Sequence, residues 1–353
     1  GYSDIVQGDY EDAAGLFVDA ITKVDGSRNE AYLELIDLYI NYMDDAETGL
    51  SRVTYYIDQK YDNIDRDQTL LLNVAMDYFD ILKDYKSSAY YFNMLDQKEH
   101  PEAAYYSTIA LAMGELNVDY DSLIFNLKNF EAMNDATTTS INKLMNYKLL
   151  CIVYARNLRQ MNNAADRLIQ VADKGLSNLE EYEDDSVKAE YYTIYNQYLT
   201  LAYERLGQQY QTSDEAKSKE YYNKALECCD FILGMVSLDE ESTVGNITDA
   251  KLREAKYCQK AEIYEALGEY EEAEKVYLQA EEEFGRTSIS LYAGHLSLLC
   301  KMQESITTDV EQWDYSKLHD LYEEGSNVQG IDNDYRWKQL KQKLSPLFGK
   351  NGG

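Results

Sequence analysis

The stretch YCQKAEIYEALGEYEEAEKVYLQAEEEFG, which starts at Tyr257, constrains the fold more than any other part of this chain. Its aromatic and small residues recur at helical spacing on both sides of Gly268, where a glycine favours a turn. The pattern predicts a helix–turn–helix unit whose two helices pack through small residues. Weaker copies of the same order recur along the chain, so we expect an array of such units.

These copies divide the chain into predicted units that keep the spacing but lose some of the small residues. They cover residues 8–20, 32–56, 69–97, 105–130, 147–172, 199–225, 257–284 and 292–322. The polar, acidic segments 174–187 and 237–249 are predicted to be connections. We therefore expect a single array over residues 1–345 that starts in the middle of a unit.

The last part of the chain has a different predicted role. Residues 333–345 place Trp337, Leu340 and Leu344 on one face of a helix, as expected of a helix that caps the open end of an array. Residues 346–353 are predicted to form a disordered tail.

Composition favours an all-helical fold. Only two of the 353 residues are proline, Pro101 and Pro346, so nearly the whole chain can be helical. We find no alternation of apolar and polar residues that demands a sheet. Tyrosine is abundant, at 34 residues, and it buries its ring while its hydroxyl stays in water, which suits a thin array. The prediction is an all-α fold of roughly eight helical hairpins with a C-terminal capping helix.

The formal charge of −31 limits the possible partners. A field of this sign repels phosphate backbones and anionic membrane surfaces, so neither nucleic acid nor direct membrane insertion is expected. A basic or neutral protein or peptide is compatible with it. We find no apolar run long enough to span a membrane in this sequence.

No arrangement of residues in the sequence indicates catalysis or metal binding. The three histidines, His100, His295 and His319, are scattered and are expected at surface or helix-end positions. The five cysteines lack zinc spacing and are expected to be buried free thiols. We therefore predict no catalytic residue, no metal and no cofactor in this fragment.

The order of residues 257–284 resembles the tetratricopeptide repeat. The matching positions are Tyr257, Ala261, Tyr264, Ala273, Tyr277 and Ala280, whereas Lys260 stands where the motif prefers leucine. The resemblance implies a right-handed α–α superhelix, a solenoid in which the first helix of each pair lines a concave inner face.

The segments AYLELIDLYI and LLLNVAMDYFDILKDYKSSAYYFNML resemble the repeat region attached to some bacterial membrane-anchored Ser/Thr kinases. Similar repeats occur in bacterial surface lipoproteins. No glycine-rich phosphate loop or other kinase motif occurs in this sequence. The resemblance implies that a parent chain carries the kinase domain and that this fragment is its extracytoplasmic sensing or docking region. Without that link, a cytoplasmic location is expected.

The preferred interpretation is a non-catalytic protein-interaction scaffold with an acidic, tyrosine-containing groove. Its candidate groove residues are Glu34, Asp37, Gln197, Tyr198, Leu201, Gln259 and Glu262. They are acidic or neutral, so we expect a partner with Lys or Arg rather than a grip on a C-terminal carboxylate. The alternative is a sensor region that binds a small ligand or glycan.

Overall fold

The computed structural model describes residues 2–23, 29–58, 67–114, 119–237, 243–244, 247–285 and 288–351. Across these residues the protein consists of seventeen α-helices, a few single turns of other helix types and one pair of two-residue strands. The predicted all-α class is thereby confirmed. The right-handed superhelix stays a prediction.

The chain forms two compact units, residues 1–138 and residues 139–353. In the first unit, a short π-helix, Leu38–Tyr42, directly follows the third α-helix. The α-helices of this unit are α1 (Tyr2–Gln7), α2 (Tyr10–Lys23), α3 (Asn29–Asp37), α4 (Ala46–Asp58), α5 (Gln68–Asp80), α6 (Tyr85–Met94), α7 (Glu102–Met113) and α8 (Tyr120–Asp135).

The second unit holds nine α-helices and two short strands within the described residues. The helices are α9 (Ile141–Arg156), α10 (Ala164–Leu179), α11 (Asp185–Tyr210), α12 (Glu215–Met235), α13 (Asp249–Ala266), α14 (Tyr270–Phe284), α15 (Ile289–Ile306), α16 (Tyr315–Ser326) and α17 (Tyr335–Asn351). The strands are β1 (Thr243–Val244) and β2 (Ile247–Thr248).

Helices of the second unit contact both their immediate and their next-but-one neighbours. Each consecutive pair from α9 to α16 packs together, and α9 also contacts α11, α13 contacts α15, and α15 contacts α17. This is the contact pattern of helical hairpins placed side by side. The pairs α9–α10, α11–α12, α13–α14 and α15–α16 coincide with the last four predicted units.

Aromatic rings lie over glycines where these helices meet. A Cβ atom added to Gly175 of α10 would collide with the ring of Tyr195 of α11, and one added to Gly207 of α11 would lie 2.9 Å from the ring of Tyr222 of α12. The Tyr195 hydroxyl also donates to the Leu144 carbonyl of α9 at 2.7 Å. A residue without a side chain leaves room for the ring, so the two backbones come close without a void.

Burial confirms the register of the best predicted unit. Five of its six motif residues are at most 2% exposed, namely Tyr257, Ala261, Ala273, Tyr277 and Ala280, and the sixth, Tyr264, is half-buried. Between the two helices Gly268 has φ +75°, a conformation in which a side chain is disfavoured. The small residues therefore occupy the seam between α13 and α14, as the pattern predicts.

A half-buried arginine joins three consecutive helices in the same region. Arg253 of α13 donates to both carboxylate oxygens of Glu283 on α14, at 2.6 and 2.9 Å. Its Nη1 donates to the carbonyls of Leu233 and Val236 at the end of α12. These hydrogen bonds from Arg253 lower the pKa of Glu283. A guanidinium suits this position because its planar fork serves several acceptors at once.

Part of the negative charge has a structural role at helix starts. Side chains of Asp67, Asp84, Asp119, Asp184 and Asp214 each accept a hydrogen bond from a backbone N–H in the first turn of the following helix. A carboxylate there satisfies otherwise unpaired donors and faces the positive end of the helix dipole. The charge of −31 is therefore partly a consequence of how these helices are capped.

The first predicted connection is shorter than expected, and the second contains a pair of short strands. In the segment 174–187, α10 continues to Leu179 and α11 begins at Asp185, because Gly175 and Leu179 still face the core. In the segment 237–249, Val244 pairs with Ile247 in a minimal antiparallel ladder. The intervening residues of that segment lie partly outside the described residues.

The predicted disordered tail is wrong for residues 346–351. Helix α17 extends to Asn351 and contains Pro346. Beyond the proline, Leu347 and Phe348 pack against the last core cluster, where Phe348 contacts Tyr322 with ring centroids 5.1 Å apart. Burial of these side chains outweighs the backbone hydrogen bond that proline cannot make. Residues 352–353 lie outside the described residues.

The glycine contacts predict opposite effects for two glycine-to-alanine substitutions. Gly175→Ala should lower the free energy of unfolding by about 1–3 kcal/mol, because the new methyl group overlaps the Tyr195 ring. Gly234→Ala is the matched control on α12, where a Cβ atom meets nothing within 4 Å. It should be neutral or should stabilise by up to about 1 kcal/mol. Urea unfolding measures both, and a stabilised Gly175→Ala would show that the ring does not occupy this site.

Candidate functional site

Most of the predicted groove residues of the second unit lie where α11 meets α13. Gln259 of α13 donates its Nε2–H to Glu204 Oε2 of α11 at 2.5 Å. Leu201 lies one turn before Glu204, and Glu262 lies one turn after Gln259, so the four side chains follow one side of the two helices. We call Leu201, Glu204, Gln259 and Glu262 the α11–α13 face.

A depression opens beside Glu262, between α13, α15 and α17. It encloses about 510 Å³ and is lined by Glu262, Glu265, Ala266, Tyr270, Lys301 and Arg336. Arg336 of α17 pairs with Glu262 at 2.7 Å, and Lys301 of α15 pairs with Glu265. The carboxylates of this α13 depression are therefore already matched by cations, and its charge is mixed rather than simply acidic.

A second depression lies between the end of α9 and the second half of α11. It encloses about 290 Å³, and the residues that define its character are Arg156, Arg159, Leu201, Glu204, Arg205 and Gln208. Arg156 and Arg159 are exposed, whereas Arg205 is half-buried. Three arginines thus line one small pocket in a protein with nearly twice as many acids as bases. We call this cavity the arginine pocket.

Glu204 lies on the wall of the arginine pocket and titrates near neutrality. Burial raises the pKa of Glu204 to about 7, although the hydrogen bond from Gln259 and the charge of Lys256 act in the opposite direction. Its carboxyl group therefore keeps its proton to a higher pH than an exposed glutamate does. Its negative charge on the pocket wall is weaker than that of an exposed glutamate.

A buried lysine fixes the orientation of Gln259. Lys256 is only 6% exposed and donates to Gln259 Oε1 at 2.5 Å, while Gln259 donates onward to Glu204. Burial lowers the pKa of Lys256. The Gln259 amide, predicted to face a partner, is therefore engaged in joining α11 to α13.

The other two predicted groove residues of α11 are half-buried. Tyr198 lies close enough to Arg156 for its charge to act on the phenol, but burial dominates and raises the pKa of Tyr198. Gln197 is half-buried on the same helix. Leu201 is the more accessible residue, at 39% exposure, and lines the arginine pocket directly.

The remaining two candidates belong to the first unit. Glu34 is half-buried on α3, and Asp37 is exposed at the end of that helix. Asp37 accepts a hydrogen bond from Asn41 Nδ2 at 2.5 Å, across the start of the π-helix. Both residues lie on a first helix, as predicted.

The prediction of a surface or helix-end position is wrong for His295. This residue is 4% exposed on α15, with Nδ1 2.7 Å from Glu281 Oε1 and its ring stacked on Tyr277. It borders a depression of about 300 Å³ that Glu274, Asp320 and Glu324 also line. The Nε2 atom is enclosed and has no hydrogen-bond partner among the described residues. The ring acts as a packing element between α14 and α15.

The cysteines are free thiols, as predicted, and four of the five are buried. Cys228 and Cys229, adjacent on α12, both lie inside the protein, and burial raises the pKa of each thiol to about 12. They are therefore protonated at neutral pH and unreactive as nucleophiles. In the described part of the chain, His, Cys, Asp and Glu form no group suited to hold a metal ion.

The sequence did not point to Arg156, Arg159, Arg205, Lys301 or Arg336 as surface-defining residues. The net charge of the chain gives no indication of these cations, because 64 acidic residues outnumber 33 basic ones. A signal was nevertheless present, since all five occur on or directly after first helices or the capping helix, where the predicted inner face lies. The Lys and Arg residues of those helices are the sequence feature that indicates this local positive charge.

Comparison with known proteins adds no family assignment. A scan of the sequence against protein-family models gives no match, and a search of curated proteins finds none either. The resemblance to tetratricopeptide repeats therefore stays a prediction. Among the described helices, none combines the length and the apolar character that crossing a membrane requires.

The raised pKa of Glu204 predicts a pH-dependent effect of Glu204→Gln. The folded carboxyl titrates at about 7 and an unfolded one at about 4.3, so the folded protein retains a proton that the unfolded chain releases. The contribution of Glu204 to stability is thus present below about pH 4.3 and is lost as the pH rises to about 7. Glutamine accepts the same hydrogen bond without this loss. Relative to wild type, the variant should gain up to about 3 kcal/mol between pH 5 and pH 8.

Urea unfolding of both proteins at these two pH values measures that gain. Glu271→Gln, an exposed glutamate on α14, is the matched control and should differ from wild type equally at both. If Glu204→Gln behaves like this control, the carboxyl of Glu204 is ionised well below neutrality and the account of its environment is wrong.

Proposed function

We propose that this chain is a non-catalytic protein-interaction module that binds a peptide or protein segment on the α11–α13 face. The observation that carries the proposal is the hydrogen bond from Gln259 to Glu204. It joins α11 to α13 beside the α13 depression, where Glu262 and Glu265 supply carboxylates for a basic side chain. Extended or helical segments bind such surfaces by inserting side chains into successive depressions.

The side chains of this face supply both apolar and charged contacts. Leu201 offers an exposed apolar surface beside polar neighbours, as in a typical interaction site. Lys301 is half-exposed while its partner Glu265 is nearly enclosed. Because the Glu265 carboxylate is nearly enclosed it needs a cation, and a cation of the partner can take the place of the exposed Lys301. The charge of −31 favours the approach of a basic or neutral partner.

The proposal predicts which peptides this protein selects and which substitution weakens them. Screening a random peptide library with the full chain should enrich peptides that combine Lys or Arg with an apolar residue. Leu201→Asp should then lower the affinity for an enriched peptide about tenfold or more, because it places a charge at an apolar contact. Fluorescence polarisation measures this affinity.

Leu278→Asp provides the matched control for this experiment. Leu278 is 48% exposed, similar to Leu201, but it lies on α14, the second helix of its pair. Its substitution should change the affinity less than about twofold. Enrichment of acidic peptides, or equal losses in the two variants, would contradict binding of a basic segment on the α11–α13 face.

The volume of the α13 depression favours a second candidate function. At about 510 Å³ it falls within the size range of small-molecule sites, and Tyr270 places an aromatic ring beside its charged groups. We therefore retain the sensor region of a bacterial transmembrane Ser/Thr kinase, or of a surface lipoprotein, as the alternative. A soluble peptidoglycan disaccharide–peptide should then raise the Tm of wild type but not of Arg336→Gln. A Tm that does not respond to this probe would count against the alternative.

A further inference from the structure

The arginine pocket runs against the composition of the chain. The chain has 64 acidic and 33 basic residues, which is about two carboxylates for each Lys or Arg. Here three arginines share one cavity whose lining includes a single acid, Glu204. Placing like charges together costs electrostatic energy unless an anion joins them. The composition offers no reason for such a cluster, so its location points to a ligand.

Two of these arginines lack the carboxylate partners that Arg253 and Arg336 have. Arg253 forms a two-pronged pair with Glu283, and Arg336 pairs with Glu262. Among the described residues, neither Arg159 nor Arg205 is within ion-pair distance of a carboxylate. Both residues line the arginine pocket instead. Arg159 at a helix end can also serve the helix dipole, but Arg205 lies within α11 and has no such role.

The shape and lining of the pocket favour a compact oxyanion with an organic group attached. Guanidinium groups match phosphate oxygens with paired hydrogen bonds, and a phosphate ester carries nearly two negative charges and three acceptor oxygens. Gln208 adds an amide donor, while Leu158 and Leu201 supply an apolar side for the group that bears the phosphate. The volume of about 290 Å³ admits more than the phosphate group alone.

We propose that the arginine pocket between α9 and α11 binds a phosphate monoester, with Arg159 and Arg205 as its principal ligands and Arg156 beside them. The phosphate belongs either to a phosphorylated side chain of a peptide or to a small phosphorylated metabolite. The site goes beyond the peptide-binding function proposed above and does not depend on it, because its ligand is defined by the phosphate alone.

Glu204 adds a proton-linked element to this site. Glu204 lines the pocket together with Arg156, Arg159 and Arg205, and it interacts electrostatically with Lys256 and Glu262 of α13 and with Cys229 and Tyr222 of α12. Of these groups, the three arginines stay charged, and burial raises the pKa of both Cys229 and Tyr222, so neither ionises near neutrality. An anion in the pocket disfavours ionisation of Glu204, so anion binding takes up a proton and is tighter below about pH 7.

The first experiment tests the ligand class with the full chain and calorimetry. The probes are glucose 6-phosphate, a capped Ala-phosphoserine-Ala peptide, glucose and the unphosphorylated peptide. Both phosphorylated probes should bind and both unphosphorylated ones should not. Similar affinities for the two phosphorylated probes would assign recognition to the phosphate group alone, and a peptide bound about tenfold more tightly would assign the site to phosphorylated proteins.

Substitutions then locate the site. Arg159→Gln and Arg205→Gln should each weaken binding of the more tightly bound phosphorylated probe about tenfold or more. Arg205→Lys should weaken it by an intermediate factor, because lysine keeps the positive charge but cannot form the paired hydrogen bonds of a guanidinium. Arg52→Gln, an exposed arginine of the first unit, should leave the affinity unchanged. Circular dichroism verifies that each variant is folded. The proposal is overturned if no phosphorylated probe binds at up to about 10 mM, or if the Arg159→Gln/Arg205→Gln double variant binds as wild type does.

Sulfate provides the test of the proton-linked element, since it stays a dianion across the pH range used. Wild type should bind sulfate more tightly at about pH 6 than at about pH 8, and Glu204→Gln should bind equally at both and more tightly than wild type at pH 8. If ionisation of Lys256 rather than of Glu204 caused the pH dependence of sulfate binding, Glu204→Gln would show the same pH dependence as wild type. That outcome would remove Glu204 from the proposal.

Discussion

An aromatic ring lying across a glycine is the contact on which the second unit depends. Tyr195 over Gly175 and Tyr222 over Gly207 show the arrangement, in which a ring fills the space that a side chain would have taken. Two helices can then approach closely, and the ring touches the third helix as well, as the Tyr195 hydroxyl does at Leu144. This close spacing brings first helices such as α9 and α11 into contact. The arginine pocket and the α11–α13 face both exist because of that proximity.

The helical array could be predicted because its signal is local. Small and aromatic residues at fixed spacing define each hairpin, and Ala261, Ala273 and Ala280 lie in the predicted seam. Two features escaped prediction because they depend on distant partners. The tail becomes helical through contacts of Phe348 with a preceding helix, and His295 is buried because Glu281 lies opposite on the adjacent one. The helical spacing of apolar residues in the sequence predicts neither of these contacts.

The local charge around the candidate residues could not be predicted from the sequence. The sequence predicts Leu201, Gln259 and Glu262 on one inner face; in the structure Leu201 lines the arginine pocket, Glu262 lines the α13 depression and Gln259 bonds to Glu204 of α11. The predicted acidic character came from the candidate residues Glu34, Asp37 and Glu262 and from the net charge of the chain, to which aspartates that cap helices also contribute. The local charge is set by a few cations, Arg205 and Arg336 among them. The net charge summed over 353 residues cannot reveal where a few positive side chains come together.

The two tryptophans give this protein an intrinsic optical label at one end. Trp313 and Trp337 are the only tryptophans of the chain, and both are buried in the final core cluster, at 6% and 0% exposure. The 34 tyrosines, by contrast, are spread along its length. Selectively excited indole emission therefore follows the packing of α15 to α17 alone, while far-ultraviolet dichroism follows every helix. Comparing the two signals during denaturation distinguishes fraying of the terminal helices from concerted loss of the whole fold.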